Sequence, residues 1–316
     1  ARAAGKFKRF TDAFYEAWIN MLLSNPVTHT KNISGAMLVI GAHGFETAGA
    51  VAVGKLRNQF TGGQDVTYAG QLNAQIFGSM MAMREAFGMA GRAFMTGENP
   101  MPGSKIDGAV GRRPPGSFSA EGLQAQGVLG TTADVLGNIM TLGRVPTRAL
   151  EFEDSFFKVV AHRQSLYEEA YRSGMTKGYR GDRLADHIAN FLVDPPATAI
   201  EKAEGHARYV TLQTKLDETG RNLSKVRQFP VLRYFIPFFN TPYNAFKYAF
   251  VDRTPIGLFF GESKKIIERG RSPGATRADV AAANLAYSRI ALGSGIAAMV
   301  AMYAAELRLR PACLIS

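Results

Sequence analysis

The chain has 316 residues, 46% of them hydrophobic, and carries 37 Lys and Arg against 26 Asp and Glu, a net charge of +11. That apolar content excludes a disordered chain, and the lone Cys313 excludes an intrachain disulfide framework or a cysteine-based zinc site. The basic balance suits nucleic acid or anionic lipid headgroups, and equally a merely solvated surface.

The first residues contain no secretory signal, because Asp12 and Glu16 interrupt the stretch from Phe10 to Trp18, and they are expected to lie inside a longer polypeptide. Phe7, Phe10, Phe14, Trp18, Met21 and Leu22 recur at helical spacing and predict an amphipathic helix from Lys6 to Leu23. Asn25-Pro26 stops it. The stretch LSNPVTHTKNISG then reads as a turn, with Thr28, Thr30, Asn32 and Ser34 available as caps. From Ile33 to Val53 only His43 and Glu46 break an uncharged run. It approaches a bilayer's length, but Gly35, Gly41, Gly44 and Gly49 dilute it, and it predicts a tightly packed helix rather than a membrane span.

A helix is predicted from Tyr68 to Phe94, with Met80, Met81, Met83, Phe87 and Met89 read as core. Residues 97–116 are rich in Gly and Pro and read as a linker or arm; Leu123 to Leu142 resumes as a Gly-containing helix. VPTRALEFEDSFFKVVAHRQSLYEEAYRSG is the clearest helix, opened by Pro146 and ended by Gly174. Its Glu151, Glu153 and Asp154 read as a solvated acidic cluster beside the positive end of the helix dipole. Further helices are predicted over Arg183–Leu192 and Thr198–Thr219, parted by Asp194-Pro195-Pro196, with Gly220 closing the second.

Arg227 to Gly261 concentrates aromatic residues between Pro230, Pro237, Pro242 and Pro255. A helix is predicted to start there with Thr241 as N-cap and Pro242 at the first position, placing Tyr243, Phe246, Lys247 and Phe250 on one face. Such a segment must be covered by another element, another subunit or lipid. A polar, basic linker follows. The last helix starts at about Thr276, and its uncharged run Ile290–Ala305 offers Ile290, Ile296, Met299, Val300 and Met302 as membrane candidates, with Arg289 and Arg308 able to snorkel.

No stretch alternates as a strand does, so the expected fold is all-α. The expected architecture is an elongated series of helices with Gly/Pro joints, divided into 1–96, 97–120, 121–226, 227–261 and 262–316, that assembles as an oligomer. His29, His43, His162, His187 and His206 are scattered, without zincin spacing, and GAHGFETAGA lacks the lysine and hydroxyl ending of a phosphate loop. No catalytic residue, cofactor or metal site is read from the sequence.

Three motifs, in order, carry a family resemblance. WINMLLSNPVTHTKNISGA resembles the opening motif of a helical region shared by very large phage and prophage virion proteins, and PTRALEFEDSFFKVVAHRQSLYEEAYRSG resembles its middle motif. RYFIPFFNTPYNAFKYAFVDRTPIGLF resembles the third, Arg-x-x-x-Pro-Phe-x-x-Thr-Pro-x-Asn, carried here by Arg233, Pro237, Phe238, Thr241, Pro242 and Asn244. The C-terminal RLRPACLIS departs from the Gly-rich continuation of that family.

The resemblance implies an internal virion, or ejection, protein of a tailed and most often short-tailed bacteriophage. Such a protein is stored in the capsid and enters the host envelope with or ahead of the DNA. Its expected partners are further copies of itself, other ejection or portal and tail proteins, double-stranded DNA without sequence preference, and the host inner membrane. Self-association is expected through the aromatic segment, including Phe235, Phe239 and Phe246. Two other readings stay open: a portal-associated or core protein that remains in the particle, and a co-injected protein that protects DNA.

Overall fold

The computed structural model describes residues 18–61, 66–97, 99–101, 145–225 and 238–309. Every regular element among them is helical, and none is a strand. The predicted helix over 6–17, the arm beyond 101, the helix Leu123–Leu142 and the residues Arg233, Phe235 and Pro237 lie outside the described residues.

Residues 18–23 are helical, and the predicted turn shrinks to Ser24 and Asn25. Helix α1, Pro26–Thr61, then runs 36 residues without interruption. Pro26 stands at its start, where no backbone donor is needed, and the Asn25 side chain accepts from the Val27 amide at 2.9 Å. Thr30 and Ser34, expected as caps, instead donate to the carbonyls of Pro26 and Thr30 one turn back.

Helix α2 is Gly70–Thr96, close to its predicted span, and Gly97 at φ 73° terminates it. Helix α3 is Val145–Thr176. Gly174, predicted to end it, lies inside it, and the stop falls to Gly178 at φ 81°. Gly174 has another role: a Cβ there would collide with Leu184 and His187 of helix α4, Gly181–Val193.

The single helix predicted over 198–219 is two. Helix α5, Ala197–Val210, is broken by Leu212 at φ 58°, and helix α6, Glu218–Ser224, restarts under the Asp217 cap. Gly220, expected as a terminator, sits in α6 where Tyr243 leaves no room for a side chain. Helix α7 is Asn240–Phe246 and starts just before the predicted cap Thr241; Pro242 still falls in the first turn, where amides have no intrahelical acceptor. A π turn, Lys247–Val251, and a 3₁₀ turn, Pro255–Leu258, follow. The basic linker predicted next is helix α8, Gly261–Arg271, and α9 is Arg277–Leu309 with Thr276 and Asp279 as a reciprocal cap.

The chain forms two compact units. One comprises 1–40, 78–165 and 197–244, and the other 41–77, 166–196 and 245–316. In the first, Ile19, Leu23 and Leu150 pack with Trp18 and Phe238, while Ala82, Ala86, Val159 and Val160 pack with Ile40, Met89 and Phe156. In the second, Ile267, Ala286 and Ile290 form the apolar centre, and Gly270 lets α8 close onto Ala283 and the Asp279 carbonyl of α9.

Candidate functional site

The second unit is organised around a buried carboxylate. Glu46 of α1 is 2% exposed; its Oε2 accepts from Arg289 Nε of α9 at 2.9 Å and its Oε1 from Arg253 Nη2. Its backbone carbonyl accepts from Ser288 Oγ at 2.7 Å. The Arg253 guanidinium also lies over the Tyr248 ring, 3.3 Å from its centroid, and donates to the Tyr248 carbonyl. One turn before Glu46, His43 faces Glu168 of α3 at 3.3 Å, and Gln75 of α2 donates to both Glu168 and Thr47 at 2.8 Å. The carboxylates and guanidiniums thus neutralise each other inside the helices, as burial of charge demands.

The exposed side of the same helices is apolar. Phe45 is 71% exposed, immediately before Glu46, and Leu56, Phe60, Phe77, Phe259 and Phe260 are also open to the surroundings. Along α9, Ala283, Asn284, Ala286 and Ser288 are buried, whereas Ile296, Met299, Val300 and Met302 are exposed. Ile290, named with that run, is instead buried against Ile267 and Ala286. By length and composition, α1 and residues Arg277–Glu306 of α9 are each apolar enough to cross a membrane. The methionines of α2 do not form the predicted core either. Met80, Met81 and Met83 are exposed, and Met89 alone of the four packs inward.

The first unit holds the acidic cluster that the sequence suggested was solvated. Asp154 is 1% exposed and is met by Lys158 Nζ and Asn99 Nδ2, each at 2.7 Å, and by Gln213. Glu153 faces His29 at 2.6 Å, and Glu151 is buried as well. The reason is periodicity: a carboxylate in the first turns of a long helix is solvated only if its stripe faces out, and this stripe faces in. Burial, and then the Arg163 charge, hold His162 below its ordinary value.

The motif residues of the aromatic segment are partly assembled. Asn244 is buried and donates to the carbonyls of Leu212 at 3.1 Å and Thr214 at 2.9 Å, fixing the left-handed turn between α5 and α6. Phe239 stacks on Tyr243, whose hydroxyl donates to Asp217 at 2.6 Å. Burial, then that hydrogen bond and the Asp217 charge, push the Tyr243 phenol up to about 12. Phe238 belongs to a core cluster, while Phe246 is exposed and stacks on Phe250 at 5.2 Å. Thr241 and Pro242 serve the helix start.

A third feature was not foreseen. Arg57, Asn58, Thr61, Val66, Ala275, Arg277 and Val280 line a cleft of about 370 Å³ in the second unit. Arg57 Nη2 donates to the Gly270 carbonyl at 3.0 Å, while its buried Nη1 has no acceptor among the described residues, which costs about 1–3 kcal/mol. No group of three or more His, Cys, Asp or Glu side chains among the described residues is placed to hold a metal. No protein family, curated protein or solved structure matches this chain.

Proposed function

We propose that this chain is an internal virion protein of a tailed bacteriophage, ejected into the host envelope, where copies assemble into a conduit for the genome. The observation that supports this best is the reversed polarity of the second unit: Glu46, His43, Thr47, Gln75, Asn284 and Ser288 are turned in, and Phe45, Phe60, Ile296, Met299 and Met302 are turned out. A monomer in water does the opposite, because soluble surfaces rarely carry large contiguous apolar patches. Lipid and neighbouring copies remove that penalty. In lipid, ionisable side chains face the helix interior and pair with one another, as Glu46 does with Arg253 and Arg289. The three sequence motifs point to the same class of virion protein.

The test is dye release from anionic liposomes. Oligomeric protein is expected to release trapped dye, and Ala297→Asp or Met299→Asp to reduce release more than binding. A charge at mid-helix costs about 2.5–3.5 kcal/mol on the insertion scale. Equal leakage from an enforced monomer, or full release by both Asp variants, rules the conduit out.

A further inference from the structure

We infer that the cleft between the end of α1 and the start of α9 binds the phosphate of an anionic phospholipid headgroup. Contacts along the two helices fix their register: Gly49 lies against Ser288 and Leu292, and Gly54 lies against Asn284. As residue numbers rise on α1 they fall on α9, so the helices are antiparallel. Arg57 and Thr61 therefore come level with Arg277 and Val280, at one end of the pair, where they line the cleft. Each helix contains an apolar stretch long enough to cross a membrane, so a basic cleft at this end sits at the depth of a headgroup when the apolar sides meet lipid.

The chemistry of the lining matches a phosphate. The Arg57 and Arg277 guanidiniums bring positive charge in a forked geometry, Asn58 adds an amide, and the volume falls in the range of small-ligand sites, roughly 300–1,000 Å³. Arg57 is held in place through Nη2 by the Gly270 carbonyl at 3.0 Å. Asp279, on the same turn as Arg277 and Val280, accepts from the Thr276 amide at 3.0 Å and hydroxyl at 2.6 Å in the helix cap. Lipid is favoured over free phosphate or a nucleic-acid backbone by the neighbouring face of α1, where Leu56 and Phe60 are exposed, the latter 82%. A nucleic-acid phosphate would leave those side chains in water.

This inference rests on the membrane-contacting reading above, and the experiment separates the two. The full chain is sedimented with vesicles of phosphatidylcholine alone and with phosphatidylglycerol added. Wild type is expected to bind the anionic vesicles, and Arg57→Gln/Arg277→Gln to lower partitioning about tenfold or more. Arg277→Gln alone, at an exposed position, guards against misfolding and is expected to lose part of this. Lys264→Gln/Lys265→Gln, two exposed charges on α8, is the control for bulk electrostatics and is expected to lose less. An equal loss in the control overturns the cleft, as does unchanged binding by the arginine variants. If inorganic phosphate raises the Tm of wild type but not of Arg277→Gln, and vesicles do not bind, the ligand is a free anion; displacement from vesicles by duplex DNA assigns the cleft to nucleic acid. Either result overturns the lipid assignment. If wild type binds no vesicle, the membrane-contacting reading itself fails.

Discussion

Glu46 stands where the chain can least tolerate a change of charge. Replacing it with Gln keeps the shape but removes the carboxylate charge that both Arg253 and Arg289 meet, and removing one partner of a buried ion group costs about 3–5 kcal/mol. The urea midpoint of Glu46→Gln is expected to fall accordingly. The triple replacement Glu46→Leu, Arg253→Met, Arg289→Met is expected to regain most of the loss, because it removes the charges together. A Glu46→Gln protein with the wild-type midpoint would show that water reaches both guanidiniums. Half of this centre was legible in the sequence: Glu46 is the one carboxylate in a long uncharged run, which marks it for a partner. The other half was not, since Arg253 and Arg289 lie 207 and 243 residues away and each follows an apolar stretch as a flanking charge would.

At the scale of elements, helix existence was legible and helix punctuation was not. Apolar periodicity located α3 closely, since a stripe recurring every three to four residues has few other solutions, and apolar runs bounded by Gly, Pro and polar stretches located α2, α4 and α9. Glycine misled at Gly174 and Gly220, because a glycine that ends a helix and a glycine that admits a neighbour look alike in sequence. Substitution separates the two roles. Gly174→Ala, where a Cβ would meet His187 Cδ2 at 2.9 Å, is expected to cost about 1–3 kcal/mol by overpacking. Gly205→Ala, with open space around it in α5, is expected to add about 0.5–1 kcal/mol through helix propensity. Chemical denaturation of the two variants should give opposite signs; a gain at Gly174 would mean that α3 and α4 are not packed at that point. Helix α8 escaped the sequence reading because it is only 11 residues long and its charged exposed face dominates the composition.

For the molecule as a whole, the missing information is which stripe of each helix faces in. Periodicity gives the stripes but not their direction. The ordinary rule turned Glu153 and Asp154 outward and Met80, Met81 and Met83 inward, and all five were reversed. On the proposed reading, a rule written for water fails where lipid or another copy would replace it over part of the surface. The net charge of +11 belongs to this scale too. Duplex DNA is expected to bind without sequence preference, and contacts to six or more phosphates would lower affinity about 10³-fold or more between roughly 50 and 200 mM salt. Gel-shift titrations across that range check it, and a salt-insensitive affinity would remove the phosphate backbone as the partner.

The links between Glu46 and α9 also set an order of events. Helices α8 and α9 meet across the short turn at Ser272 to Thr276, so bringing them together closes a loop of a few residues. The Glu46–Arg289 contact instead closes a loop of 243 residues, an entropic cost that grows with the logarithm of length. If the chain emerges extended, as the proposed function requires, the α8–α9 hairpin can therefore form on its own, while the contacts of Arg253 and Arg289 with Glu46 wait for α1. Over that interval the second unit is most soluble where it will later be most dry.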